Sequence, residues 1–140
     1  MQQEVKQMLQ QGLVDELSSA LQYTQLAGNF GNVPIKQAFI SYAMDELQHA
    51  YRILNMFAEQ YEEPEQIDLT LPENQDVFST LVEYLAKEEA ATFYYQILQQ
   101  LAPNSETYTI CQQMQAEEER HLQTMSMLYQ QLKGDQNGTR

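Results

Sequence analysis

The sequence predicts an all-α protein: a four-helix bundle of two antiparallel hairpins joined by a long crossover. Three observations predict it. Apolar residues recur at three- and four-residue steps through most of the chain, the period of an amphipathic helix. Glycine (5) and proline (4) are scarce in the 140 residues, and the prolines fall between periodic segments or at their starts. Those segments form a set of four, each of about 27–29 residues, or roughly 40 Å of helix at 1.5 Å per residue. No segment alternates as a strand would.

The first helix is expected from about residue 2 to Ala27, with the stripe Leu9, Leu13, Ala20 and Ala27, and ends at "GNFGN". Pro34 suits the first turn of a second helix that reaches about Gln60, where Phe39, Ala43, Ala50, Ile53 and Phe57 line one face. "YEEPEQIDLTLPE" is acidic, holds two prolines and has no period, so it reads as a connector. Extended at roughly 3.3 Å per residue, it could just traverse the bundle. Its end, "TLPE", offers Thr70 as N-cap, Pro72 in the first turn and Glu73 closing a capping box. A third helix then runs to about Gln100 on a stripe of Phe78, Leu81, Leu85, Phe93 and Ile97. Pro103 breaks it, and Asn104 or Ser105 caps a fourth that reaches Leu132. Cys111, Met114, Met125, Met127 and Leu132 read as its core side. Residues 1–132 make one domain on this reading, and "KGDQNGTR", 133–140, a frayed polar tail.

Composition excludes several classes of function. The 7 Lys+Arg against 20 Asp+Glu leave a net charge of −13, which repels nucleic acid and anionic lipid and draws cations. No apolar run is long enough for a membrane span. The start, "MQQEVKQMLQ", lacks an apolar signal core, so a cytoplasmic location is expected. A single cysteine, Cys111, rules out a multi-cysteine metal or redox motif within the chain and reads as a small buried hydrophobe.

The apolar stripes share one anomaly. Glu16 interrupts the first, Glu46 and His49 the second, Glu89 the third, and Glu118 and His121 the fourth, each near its midpoint. In a bundle of equal antiparallel helices the midpoints form one layer, so these residues should meet. The two histidines of the chain both lie in Glu-x-x-His, a spacing that sets two ligands on one helix face. Four buried carboxylates carry a charge that two divalent cations would neutralise; alone they repel each other and lose hydration. Oxygen-rich sites with one imidazole per metal suit iron or manganese. Glu88, Glu117 and Glu119, one step off the stripes, read as solvated surface, with Glu88 the substitute for Glu89 if the third helix is one residue out of phase. Tyr84, Tyr94 and Tyr95 read as packing residues.

"ELSSALQY" (16–23), "DELQHAYR" (45–52), "EAATFYY" (89–95) and "EEERHL" (117–122) resemble the ferritin-like superfamily of di-iron carboxylate proteins, in particular bacterioferritin and rubrerythrin-type sequences. The resemblance implies that Glu46 and Glu118 bridge two irons, that Glu16 and Glu89 each cap one, and that His49 and His121 bind one each. It implies a second role for Tyr23, two turns after Glu16, as a hydrogen-bond partner of a ligand or an electron source. Departures narrow it. Leu47 stands where bacterioferritins carry a haem-ligating methionine, so no haem is expected. Thr92 stands where rubrerythrins carry an extra glutamate, and the four-cysteine iron domain of a full rubrerythrin has no counterpart.

The expected function is a di-iron oxidoreductase, with manganese as the alternative metal, reacting with O2 or H2O2 as a ferroxidase or peroxidase and taking electrons from an external donor. Two other readings stand beside it: iron storage or metal buffering by a large oligomer, and a structural protein that needs metal to fold. A homodimer or larger homo-oligomer is expected by analogy.

Overall fold

A computed structural model describes residues 2–61, 63–69 and 76–137. It contains α1 (Gln2–Gly28), α2 (Val33–Gln60), α3 (Val77–Gln100) and α4 (Ser105–Asn137), with no strand among the described residues. The chain divides into two compact units, Met1–Glu73 and Asn74–Arg140, each built on one helical hairpin.

In the first unit α1 and α2 are antiparallel neighbours. Tyr23 meets Tyr42 edge-on at 5.5 Å between ring centroids, and Glu16 meets His49 at 3.2 Å. Moving seven residues back along α1 thus moves seven forward along α2, two turns in each. The turn between them is closed chemically at both helix ends. The Asn32 side chain accepts from the Ile35 N–H at 3.1 Å, an N-cap bond, with Pro34 in the first turn where its missing N–H costs nothing. The Lys36 ammonium donates to the Ala27 carbonyl at 2.8 Å, placing a cation on the negative end of α1. Leu9, Leu13, Ala20, Leu26, Ala27 and the α2 stripe are buried. The connector is held against α1: Gln10 donates to the Glu65 carbonyl at 3.4 Å and accepts from the Glu65 N–H at 3.1 Å.

The second unit pairs α3 with α4, as Phe78 near the start of α3 meets Tyr129 near the end of α4 at 6.1 Å. Asp76 caps α3 by accepting from the Ser79 N–H at 3.1 Å. Thr70, Pro72 and Glu73, the expected cap, lie outside the described residues. Asn104 caps α4 by accepting from the Thr107 N–H at 2.8 Å, which decides between the two candidates for that position.

Three expectations are corrected. The helices are not of equal length: they hold 27, 28, 24 and 33 residues. The last is longest because α4 continues through 133–137, which were expected as a tail; Lys133 there sits 5.8 Å over the Tyr129 ring, one turn back. The inner face of α3 is Leu81, Tyr84, Glu88, Tyr95 and Leu98, while Phe93 and Ile97 are exposed. Apolar side chains surround α3, so its periodicity fits more than one phase. Met127 of α4 is likewise exposed, whereas Met114 and Met125 are core.

Candidate metal centre

Each hairpin holds a buried triad of two carboxylates and one imidazole. In the first, Glu16 comes from the middle of α1, and Glu46 and His49 from one face of α2, a turn apart. Nδ1 of His49 lies 3.2 Å from Oε2 of Glu16 and 3.6 Å from Oε1 of Glu46. One ligand atom from each of the three residues fits within 4.8 Å of the others.

The second triad is Glu88, Glu118 and His121. All three are buried, Nδ1 of His121 lies 3.6 Å from Oε2 of Glu88, and their ligand atoms again fit within 4.8 Å of one another. This corrects the expectation for the third helix. Glu89 is exposed and Glu88, expected as solvated surface, is 2% exposed. The cause is the phase of α3: with Leu81, Tyr84, Tyr95 and Leu98 inside, the inward glutamate is the one seven residues from Leu81 and Tyr95.

A signal in the sequence identifies Glu88 without the structure. Glu16 precedes Glu46 by 30 residues and His49 by 33; Glu88 precedes Glu118 by 30 and His121 by 33. Glu89 breaks that equality by one. Shifting the first hairpin by 72 residues also lays Leu9 on Leu81, Tyr23 on Tyr95, Leu26 on Leu98 and Ile53 on Met125, and all eight are buried. The two units are one pattern written twice.

Tyr23 is buried among aromatic side chains: its ring stacks on Phe39 at 6.2 Å and 24° and meets Tyr42 edge-on. Phe30 stacks on the same Phe39 at 5.4 Å. Cys111, in α4, is fully buried, and burial pushes its thiol up to about 11; the hydrophobe reading holds.

The donor sets fit a metal ion. Ligand bonds of about 2.1 Å at right angles put neighbouring ligand atoms roughly 3.0 Å apart, close to the 3.2 and 3.6 Å separations within the triads. Two buried carboxylates beside one imidazole leave an excess of negative charge away from water, which a divalent cation offsets. Hard oxygens with a single nitrogen match iron and manganese, and the absence of thiolate from both triads speaks against a structural zinc site.

No protein-family model and no curated protein matches the sequence. Solved structures do match. Bacterioferritin BfrA of Mycobacterium tuberculosis superposes with a TM-score of 0.76 at 19% identity, over 96% of this chain and 88% of that one. The manganese catalase KatB from Anabaena gives 0.72 at 23% identity, over 91% and 73%. The fold is ferritin-like. A bacterioferritin-related dodecameric thioferritin from Bacteroides fragilis matches over 99% of both chains, at a TM-score of 0.62 and 21% identity. The ferritin-like four-helix bundle of this chain thus carries one buried Glu–Glu–His triad in each of its hairpins. No helix among the described residues is long and apolar enough to cross a membrane.

Proposed function

We propose that the protein is a cytoplasmic oxidoreductase that uses both triads to hold a pair of metal ions, iron by preference, and reacts with O2 or H2O2. The observation that carries this reading is the repeated triad: Glu16, Glu46 and His49 in one hairpin, Glu88, Glu118 and His121 in the other, at identical spacing and all buried. One triad alone could be a satisfied polar cluster; two copies of the same ligand set call for two ions.

His49 would bind one ion with Glu16 and Glu46 as its carboxylates, and His121 the other with Glu88 and Glu118. Bound as iron(II), the pair supplies two electrons, enough with two protons to reduce H2O2 to two waters. The rest is done by the chain itself. The carboxylates balance the charge of the ions, and burial beside Leu13, Ala20 and Ile53 keeps bulk water away and strengthens each electrostatic contact. Nδ1 of His49 already lies 3.2 Å from Oε2 of Glu16, so the two groups stand together without metal. Tyr23 stands in this reading as an electron source or hydrogen-bond partner, and an external donor returns electrons between turnovers.

The manganese catalase among the structural neighbours supports a second reading. There the metal is manganese, and peroxide is both oxidant and reductant, giving water and O2 with no external donor.

Metal content of protein purified without added metal, followed by anaerobic Fe(II) titration and exposure to oxidant, tests both. Two equivalents per chain, then rapid development of a diferric absorption band, is expected, and Glu46→Ala or Glu118→Ala should abolish the band. Oxygen evolution from peroxide by the manganese-loaded protein alone would favour the second reading. A cooperatively folded protein that binds neither metal would sink both.

A further inference from the structure

Tyr23 and Tyr42 stand on the same side of the first triad, toward the turn between α1 and α2. Tyr23 lies seven residues past Glu16, roughly 10 Å along the helix axis. Tyr42 lies four residues before Glu46 and seven before His49. Helical side chains lean toward the N-terminus of their own helix, which in an antiparallel pair sends the two rings opposite ways. Tyr23 leans back toward Glu16. Tyr42 leans away from Glu46 toward Phe39, which it meets edge-on at 5.8 Å. The two phenol rings meet at 5.5 Å between centroids. Tyr23 is 1% exposed and Tyr42 7%, so the order from the triad outward is Glu16, Tyr23, Tyr42.

Packing alone does not call for phenols here. Phe39, buried against both, shows that a phenyl fills this space, and burying a hydroxyl costs free energy that its hydrogen bonds at best return. A phenol adds what a phenyl lacks, a one-electron oxidation within reach of peroxide chemistry. The repeat sharpens the point. In the second hairpin Tyr95 matches Tyr23, but Met114 stands for Tyr42 and Cys111 for Phe39, all of them buried. Tyr95 makes its ring contact with Tyr94, beside it in the chain. Charge singles out the turn end of the first hairpin as well. Residues 17–44 hold no carboxylate, the longest such stretch of the chain, and one cation, Lys36. An anionic reductant meets the least repulsion there.

We propose that Tyr42 is the outer member of a two-phenol relay, through which a small anionic one-electron donor supplies, by way of Tyr23, the electrons for peroxide reduction. The inference rests on the peroxide chemistry proposed above. Reduction of H2O2 to two waters takes two electrons and two protons. For each electron, Tyr23 gives it up together with its phenolic proton, and the phenoxyl so formed takes an electron and a proton from Tyr42. The donor then restores both to Tyr42, so each phenol ends the cycle unchanged.

Ascorbate, an anion that gives up one electron and one proton, is the probe. When excess H2O2 meets the iron(II)-loaded chain, frozen samples should show a phenoxyl signal by electron paramagnetic resonance, and ascorbate should quench it. Tyr42→Phe should keep a normal diferric band and the signal, now on Tyr23, but lose the quenching. Tyr94→Phe should keep all three. No phenoxyl beside a normal diferric band, or quenching that survives Tyr42→Phe, overturns the relay and leaves the metal reading standing. A second measurement needs no metal. In the metal-free chain, persulfate with a photo-excited ruthenium complex takes an electron and a proton from each phenol, and the two rings, 5.5 Å apart, should join by a carbon–carbon bond. Trypsin cuts after Lys36 and Arg52, so residues 7–36 and 37–52 should emerge linked, two hydrogen atoms lighter than their sum. A link that is missing, or that persists in Tyr42→Phe, overturns the pairing of the phenols whatever the metal does.

Discussion

At the scale of single residues, neighbours in sequence have opposite fates. Glu88 and Glu89 share chemistry and helix, yet one is buried in a triad and the other meets water. Glu88→Ala should therefore remove one of two bound Fe(II) equivalents, weakening that site at least ~100-fold, because losing a direct ligand costs more than losing a supporting contact. Glu89→Ala should titrate like the natural protein. Equal loss from both variants would refute the assignment. Cys111 gives a prediction in pH. Its thiol rises from 9.0 to about 11 on burial, and Tyr84 is raised in the same direction, chiefly by burial and secondarily by Glu83. A raised acid of this kind leaves stability intact below the unfolded value. Above it the unfolded chain ionises first, so denaturant midpoints should fall from about pH 9 to about pH 11. Native protein at pH 8 should also resist thiol alkylation until it is unfolded.

At the scale of elements, α2 and α3 show what periodicity can and cannot decide. The inner face of α2 was legible because a carboxylate and an imidazole marked it amid Phe39, Ile53 and Phe57, all of them buried. Its outer face is apolar too, at Ile40, Met44, Leu47, Tyr51 and Leu54, but lacks those markers. In α3, Leu81 and Leu98 on one side compete with Val82, Phe93 and Ile97 on another, and composition gives no preference between them. Only packing against α4 selects the phase. Leu98→Ala should accordingly cost about 2–5 kcal/mol, the range for a buried leucine, while Ile97→Ala should stay within ~0.5 kcal/mol. Urea unfolding followed by circular dichroism measures both, and comparable losses would mean that α3 is rotated.

At the scale of the molecule, each hairpin carries the same buried triad, so the proposed metal binding bears on stability in both. If both triads share the ions, loading raises stability by ~2.7 kcal/mol for each ion at a free metal concentration one hundred times its Kd. Calorimetry should then show one transition that moves upward as a whole. Two separating transitions would mean that each hairpin keeps its own ion. The same repeat explains why so much of the site could be read early. Five of the six triad residues, Glu16, Glu46, His49, Glu118 and His121, follow from polar interruptions of apolar stripes. The sixth follows only when the 30-residue spacing within the first hairpin is imposed on the second.

What the sequence determined by itself was the number and kind of elements, and the carboxylates and imidazoles that interrupt their apolar faces at mid-helix. These depend on local periodicity, on capping residues such as Asn32 and Asn104, and on Glu-x-x-His, all of which act within a few turns. The tertiary structure decided the rest: the phase of α3, the extension of α4 through Asn137 and the second apolar face of α2. The phase of α3 turns on which of its apolar surfaces finds a partner, and packing against α4 settles that competition.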